Sequence, residues 1–267
     1  MNPQSLLILA NLLFRLQSYL VHYFSSIHLH GFHSPFLFDF CNSVIQQRKQ
    51  YYIFQDIEKI RFSLLNNDKK ILITDFGTGK NNREKTIKSI AQKTIKSPEI
   101  AQILFRIVAY QNPKTILELG TSLGITTAYL AAYNKNIEVT SLEGCPNTVS
   151  IAKENFKKLF LNNINVQIGN IDQTLSQYLQ NRLAIDLIYI DANHTQEATL
   201  RYFYQLLPYV NESSIVILDD IHWSKEMNKA WDIIRKDNKV TISLDLFEIG
   251  ILFFRKNQPK QDFVFKF

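Results

Sequence analysis

From Thr115 onward, short apolar runs alternate with stretches whose apolar residues recur at helical spacing. The runs at 115–119, 137–142, 164–168, 185–190, 214–218, 240–246 and 249–254 are brief and dominated by Ile, Leu and Val, which predicts strands. The intervening stretches 124–133, 146–160, 172–180, 195–207 and 224–236 predict helices. Strands separated by helices make parallel βα units with helices on both faces of a sheet. The last two runs lie too close together for a helix between them, so they predict an antiparallel hairpin at the sheet edge. The expected fold is α/β: a seven-stranded, mostly parallel sheet with that edge hairpin and a mainly helical N-terminal extension.

The extension is less regular. Leu6, Leu9, Leu13, Leu16, Leu20 and Phe24 fall at helical spacing and predict an amphipathic helix over residues 4–24. Its apolar face requires the core, another subunit or a membrane surface. Gly31 breaks the pattern, and Ser34 followed by Pro35 has the form of a helix cap and first residue. Phe36, Phe40, Val44 and Ile45 then share one helical face, and Tyr51 to Leu65 predicts a further helix. The tract containing His28, His30 and His33 has no Cys, Asp or Glu within it, so it reads as a structural or substrate-facing loop in preference to a metal site. Asp75-Phe76-Gly77-Thr78-Gly79-Lys80 imitates a phosphate loop. A true one continues with Ser or Thr after the lysine, and here Asn81 follows, so a hairpin or loop is expected. The polar run from Lys80 to Lys96 reads as a helix, and Ser97-Pro98-Glu99 opens another that reaches about Tyr110. Two regions are therefore expected: an extension over 1–96, serving as cover, substrate region or dimer contact, and a ligand-binding domain over 97–267.

Composition narrows the setting. With two cysteines, no CxxC and no zinc spacing, a disulfide framework is excluded and a reducing cytoplasm is the default. Ser5 to Ala10 is apolar but too short to span a bilayer, and Arg15 interrupts its continuation, so no transmembrane segment or signal peptide is expected. The formal charge of +6 is compatible with an anionic partner, although basic residues serve solubility equally well.

The chemistry should lie beyond the carboxyl ends of the strands, where ligands of open α/β sheets bind. The first strand of the alternating region ends in Glu118-Leu119-Gly120-Thr121-Ser122-Leu123-Gly124, a tight turn into a helix. The second ends at Glu143, whose carboxylate is placed to accept both hydroxyls of a ribose. The third ends in Gly169-Asn170-Ile171-Asp172, where backbone groups and Asp172 could read an adenine, or Asp172 could cap the next helix. The fourth supplies Asp191 and His194, and the fifth Asp219, Asp220, His222 and Trp223. Nicotinamide folds usually carry Gly-x-Gly-x-x-Gly, in which one glycine lets a pyrophosphate approach. The Gly120-x-x-x-Gly124 spacing lacks it, whereas S-adenosylmethionine has no phosphate, and its cationic groups favour acids such as Glu118.

Residues 97–255 resemble class I S-adenosylmethionine-dependent methyltransferases with their Rossmann-like sheet, over about three fifths of the chain. Leu117 to Gly124 is similar to the cofactor motif of catechol and caffeoyl-CoA type O-methyltransferases and their uncharacterised bacterial relatives, and the helix 98–110 resembles the one preceding that motif. The resemblance implies cofactor contacts at Glu118, Gly120, Thr121, Ser122, Gly124, Glu143, Asn170, Ile171, Asp172 and Asp191. It also implies a divalent metal, Mg²⁺ or another, on Asp191, Asp219 and Asp220, with Asp220 standing where the family has Asn. Where catechol-type members have a catalytic lysine, this chain has His194, which can take a proton near neutral pH, with Asp191 and His222 beside it as catalytic candidates. The expected reaction is methyl transfer to a hydroxyl of a small molecule, by a protein that can also form a homodimer. RNA or protein methylation is the nearest rival, though no RNA-binding signature is visible. A non-catalytic cofactor-binding scaffold is the second rival and a nicotinamide oxidoreductase the third.

Overall fold

The structure is a computed structural model that describes residues 3–74, 83–180 and 182–267. In chain order the described elements are α1 (Pro3–Ser25), α2 (Pro35–Phe40), α3 (Tyr52–Leu65), β1 (Lys70–Ile73), β2 (Arg83–Thr86), α4 (Ile87–Thr94), α5 (Pro98–Gln111), β3 (Thr115–Leu119), α6 (Ile125–Ala131), β4 (Glu138–Glu143), α7 (Pro146–Lys158), β5 (Ile164–Ile168), α8 (Ile171–Leu179), β6 (Leu187–Ile190), α9 (Gln196–Leu206), β7 (Ile215–Asp219), α10 (Lys225–Ile234), β8 (Ile242–Asp245), β9 (Ile249–Phe253) and β10 (Gln261–Val264). A π-helical turn, Cys41–Ile45, continues α2. Strands β3 to β10 make an eight-stranded, mostly parallel sheet.

By its internal contacts the chain divides into two compact units: 43–183, and 1–42 together with 184–267. The contiguous unit holds the parallel strands β3, β4 and β5, with Leu117 opposite Thr140 and Ser141 opposite Val166. Phe54 of α3 meets Phe105 of α5 at 4.9 Å and Tyr129 of α6 at 5.3 Å between ring centroids. All three rings are buried, and burying an aromatic ring of this size is worth about 2–3 kcal/mol. The Tyr129 hydroxyl donates to Glu58 Oε1 at 2.8 Å, and Arg61 Nε donates to both oxygens of the same carboxylate at 2.8–2.9 Å.

The discontinuous unit holds β6, β7, β9, β8 and β10 in that order. Strands β6 and β7 are parallel, β9 runs antiparallel between β7 and β8, and β10 adds parallel to β8. Chain ends meet here: Ile27 N donates to Val264 O at 2.9 Å, and Phe32 packs on Phe263 and Phe265 with centroids 5.1 and 5.2 Å away. A Cβ on Gly250 of β9 would lie 2.5 Å from the Trp231 ring, so only glycine lets α10 approach this strand.

Two expectations need correction. The sheet has eight strands, and β10 occupies the edge expected for the hairpin β8–β9. The polar sequence of β10 hides it, because its half-exposed residues show no apolar run. The polar run after residue 80 is also only partly helical. Strand β2 pairs antiparallel with β1, Lys70 opposite Thr86, before α4 begins. The hairpin or loop expected at Asp75 to Lys80 falls within residues 75–82, which lie outside the described residues, as do the side chains of Leu6 and Leu9.

Candidate active site

The glycine turn is built as a ligand loop. After β3, Gly120, Ser122 and Gly124 all take positive φ (+104°, +48° and +80°). Gly124 caps α6 and has no room for a side chain: a Cβ there would lie 2.7 Å from the Phe156 ring and 2.9 Å from Ala152. Asn155 of α7 holds the turn from below by donating to Leu123 O at 3.0 Å.

Two glutamates brace this turn. Glu143, at the tip of β4, accepts the Ser122 N–H on Oε2 and the Cys145 N–H on Oε1, both at 2.8 Å. This bracing fixes the carboxylate at the end of β4, beside the glycine turn. Glu118 is fully buried and accepts from the hydroxyls of Thr127 at 2.5 Å and Ser141 at 2.6 Å. The Thr121 and Ser141 hydroxyls bond each other. Gly120, Thr121, Ser122, Gly124, Glu118 and Glu143 thus form one hydrogen-bonded framework at the ends of β3 and β4. At the end of β5, Asn170 caps α8 by accepting the Asp172 N–H at 3.0 Å. The capping alternative for Asp172 is thereby taken by Asn170, and the exposed Asp172 carboxylate lies in the first helical turn, next to half-buried Ile171.

The discontinuous unit carries a separate constellation at the ends of β6 and β7. Asp191, His194 and fully buried Asp219 each offer a ligand atom within 4.8 Å of the others, a group able to hold a metal ion. His194 Nε2 lies 3.2 Å from Asp191 Oδ1, and its Nδ1 lies 3.9 Å from Asp220 Oδ2. The backbone is forced into the left-handed region at Asn193, His194 and Asp220 (φ +63°, +34° and +54°). Strain of this kind persists only where the surroundings impose it, and it gathers at ligand sites. The sequence predicted a metal set of Asp191, Asp219 and Asp220. The structure brings His194 together with Asp191 and Asp219, and Asp220 faces the other ring nitrogen.

His222 has different partners. Its Nε2 lies 2.7 Å from Asp245 Oδ2, its Nδ1 lies 2.7 Å from Asn228 Nδ2, and its ring stacks on Phe247 at 5.4 Å. Both ring nitrogens are therefore engaged. His22 of α1 reaches the other side of the same carboxylate, 3.4 Å from Asp245 Oδ1. Burial alone would raise the Asp245 carboxyl. Hydrogen bonds from His22 and His222, the His222 charge and the Phe247 N–H outweigh it and hold the group well below the usual carboxylate range. A cavity of about 530 Å³ opens beside this cluster, between α1 and α10. Trp223 is half exposed, with the Arg15 guanidinium 4.3 Å above its ring.

Residues 117–221 match a family model described as a methyltransferase domain. An O-methyltransferase from Bacillus cereus, solved in complex with SAH (S-adenosylhomocysteine), superposes with a TM-score of 0.56 at 17% identity, over 77% of this chain and 92% of that one. The SAH-bound Podospora anserina methyltransferase PaMTH1 gives 0.54 at 15% identity, over 79% of this chain and all of that one. The chain has a class I methyltransferase fold. Protein-L-isoaspartate O-methyltransferase of Pyrococcus abyssi (strain GE5 / Orsay) is 30% identical over 80 residues, 30% of this chain. The chain spans 37% of that curated relative's length.

Within this methyltransferase fold, the sequence missed two features. His194 was read as a proton acceptor, although its place beside Asp191 and Asp219 also makes it a ligand candidate. Spacing could have shown this, because the strand tip holding Asp191 also holds His194. The His22–Asp245 contact joins residues 223 positions apart, and no local pattern announces it.

Proposed function

We infer that this protein is an S-adenosylmethionine-dependent methyltransferase acting on a hydroxyl of a small molecule. The observation that carries the reading is the Glu143 carboxylate at the tip of β4, tied to the glycine turn through Ser122 N, at the strand end where ligands of such sheets bind. Glu143 is read as the ribose ligand, with Thr121, Ser122 and the Gly120–Gly124 turn lining the cofactor. Asn170, Ile171 and Asp172 complete its binding set within the contiguous unit. When bound, the cofactor supplies a methyl group activated by a sulfonium. Buried Glu118 holds the turn from beneath by accepting from the Thr127 and Ser141 hydroxyls.

His194 is read as the group that takes the acceptor's proton, with Asp191 and Asp220 orienting its ring. A second reading rests on the closeness of Asp191, His194 and Asp219: together they would hold a divalent cation that lowers the pKa of a bound hydroxyl. Two carboxylates and an imidazole fit such an ion, and the nitrogen donor favours Mn²⁺, Co²⁺ or Zn²⁺ over Mg²⁺. In that arrangement Asp220 would orient the imidazole from its other nitrogen. His222, with both nitrogens engaged, is read as a positioning residue for the loop after β7. The catalytic part is assigned to residues 97–267, and the first 96 residues to acceptor selection. None of the described helices is long and apolar enough to cross a membrane.

Calorimetric titration of the full chain with S-adenosylmethionine tests the core of the reading. Binding that weakens roughly 10- to 100-fold in Glu143→Gln is expected, from the loss of charge-assisted hydrogen bonds. No binding to folded protein would overturn it. Electron paramagnetic resonance with Mn²⁺ separates the two roles of His194. Bound Mn²⁺ that is lost in His194→Ala assigns the cation, and no binding in the wild type leaves His194 as the base alone.

A further inference from the structure

Helix α1 carries a second message in its exposed side chains. Leu13, Leu16, Leu20 and Tyr23 follow one another at spacings of three, four and three, and in sequence the same alternation runs back through Leu9 to Leu6. This is the a/d repeat of a coiled-coil seam, narrower than the broad stripe of a helix buried on its own core. The structure leaves the seam uncovered: Leu13, Leu16, Leu20 and Tyr23 are 59%, 58%, 47% and 43% exposed. Flanking positions widen it with Leu12, Tyr19 and Phe24, also exposed.

A different face of the helix holds the body of the protein. His22 reaches Asp245, and Arg15 lies over Trp223. Among the described residues, the seam and its flank touch the body towards the C-terminal end of α1, where Tyr19 meets Phe247 and Lys266 lies over Tyr23. The helix is therefore anchored along one side and apolar along another.

We propose that α1 pairs with α1 of a second copy of this chain, making a two-fold symmetric helix–helix interface. Three observations select this occupant. The seam spacing is that of helix-on-helix packing, and a two-fold axis would set the same apolar side chains of both copies against each other. Arg15 is the only Lys, Arg, Asp or Glu in α1, so neither like-charge repulsion nor a charge pattern for a different partner is present. The seven exposed apolar side chains offer on the order of 700 Å² per copy, close to the roughly 800 Å² per partner of a stable interface. A lipid surface is the weaker match, because interfacial helices carry Lys and Arg along their polar face and α1 does not.

Analytical ultracentrifugation of the full chain at 1–50 μM (order-of-magnitude range for such interfaces) should give a dimer. Leu16→Glu with Leu20→Glu should give a monomer with unchanged far-ultraviolet circular dichroism, because both residues lie on the surface. Leu183→Glu, at an exposed leucine far along the sequence and outside α1, should remain a dimer. A monomeric wild type overturns the proposal, as does a double variant that stays dimeric. A monomeric wild type that co-floats with vesicles of 70% phosphatidylcholine and 30% phosphatidylserine (about that ratio, as a standard anionic surface) overturns it in favour of the lipid occupant.

Discussion

Gly124→Ala tests whether the turn after β3 is as constrained as its geometry implies. Two effects act together. An L-residue at φ +80° occupies the left-handed region, at a cost of roughly 1–2 kcal/mol. The new methyl would also lie 2.7 Å from the Phe156 ring and 2.9 Å from Ala152 Cβ, inside van der Waals contact. Overpacking of this kind costs about 1–3 kcal/mol, because a buried ring can yield only by moving α7. The lower unfolded-state entropy of alanine offsets about 0.5–1 kcal/mol. The net loss is roughly 2–4 kcal/mol, or about 5–15 °C in melting temperature for a protein of this size. Differential scanning calorimetry reads the stability, and calorimetric titration with S-adenosylmethionine reads the turn. Because Phe156 supplies the clashing atoms, Gly124→Ala with Phe156→Leu should lose less than the two single losses summed, by about 1 kcal/mol or more. The backbone strain should persist in the double variant. A Gly124→Ala protein melting within about 2 °C of wild type would refute both the strain and the close approach of α7.

Other expectations follow from the titratable groups and the core. Asp245→Asn should destabilise by roughly 2–4 kcal/mol, since it removes the charge that holds two histidines. The native carboxyl lies below its unfolded value of about 3.9, so its contribution is present above about pH 4 and fades as pH falls further. Urea midpoints of wild type and variant should therefore converge below about pH 4, and a gap that widens on acidification would contradict this. Burial pushes the Cys41 thiol up to about 12, so at pH 8 only about one molecule in ten thousand carries the thiolate. Peptide mapping after iodoacetamide should find Cys41 unmodified in the native protein and modified in urea. Tyr129→Phe removes the hydroxyl bonded to Glu58 while Arg61 still pairs with that carboxylate. A loss of about 1–2 kcal/mol by chemical denaturation is expected, and a loss of less than about 0.5 kcal/mol would show that the bond contributes little.

The alternation of strands and helices was readable because strands buried on both faces appear as nearly unbroken apolar runs, such as Leu187 to Ile190 and Ile215 to Asp219. Strand β10 was not readable: β8 covers one side of it and Ile27 alone is seen bonding near its end, so Gln261 and Asp262 suffice where a central strand needs Ile and Val. Likewise, β2 is formed by Arg83, Glu84, Lys85 and Thr86, whose polarity suits a small exposed hairpin and conceals it. The glycine turn and Glu143 could be recognised because backbone constraint and strand-tip position leave local traces. Asn170 took the cap considered for Asp172, a displacement of two residues that spacing alone does not settle. The carboxylate shared by His22 and His222 is set by tertiary packing, and its members are invisible as a group until the chain is folded.

The contact of Ile27 with the segment after β10 has a consequence for biosynthesis. A ribosome delivers residues 43–183 as one uninterrupted stretch, so that unit's partners are all present once Leu183 has emerged. Ile27 is synthesised before that unit, yet its backbone partners Val264 and Phe265 are synthesised after it. Throughout most of translation, the apolar N-terminal helix has no finished sheet to rest on. The nascent chain must therefore shield that helix, by transient contacts or a chaperone, until β10 arrives. A stop codon just before Gln261 would prolong that wait indefinitely, because β10 would never be made.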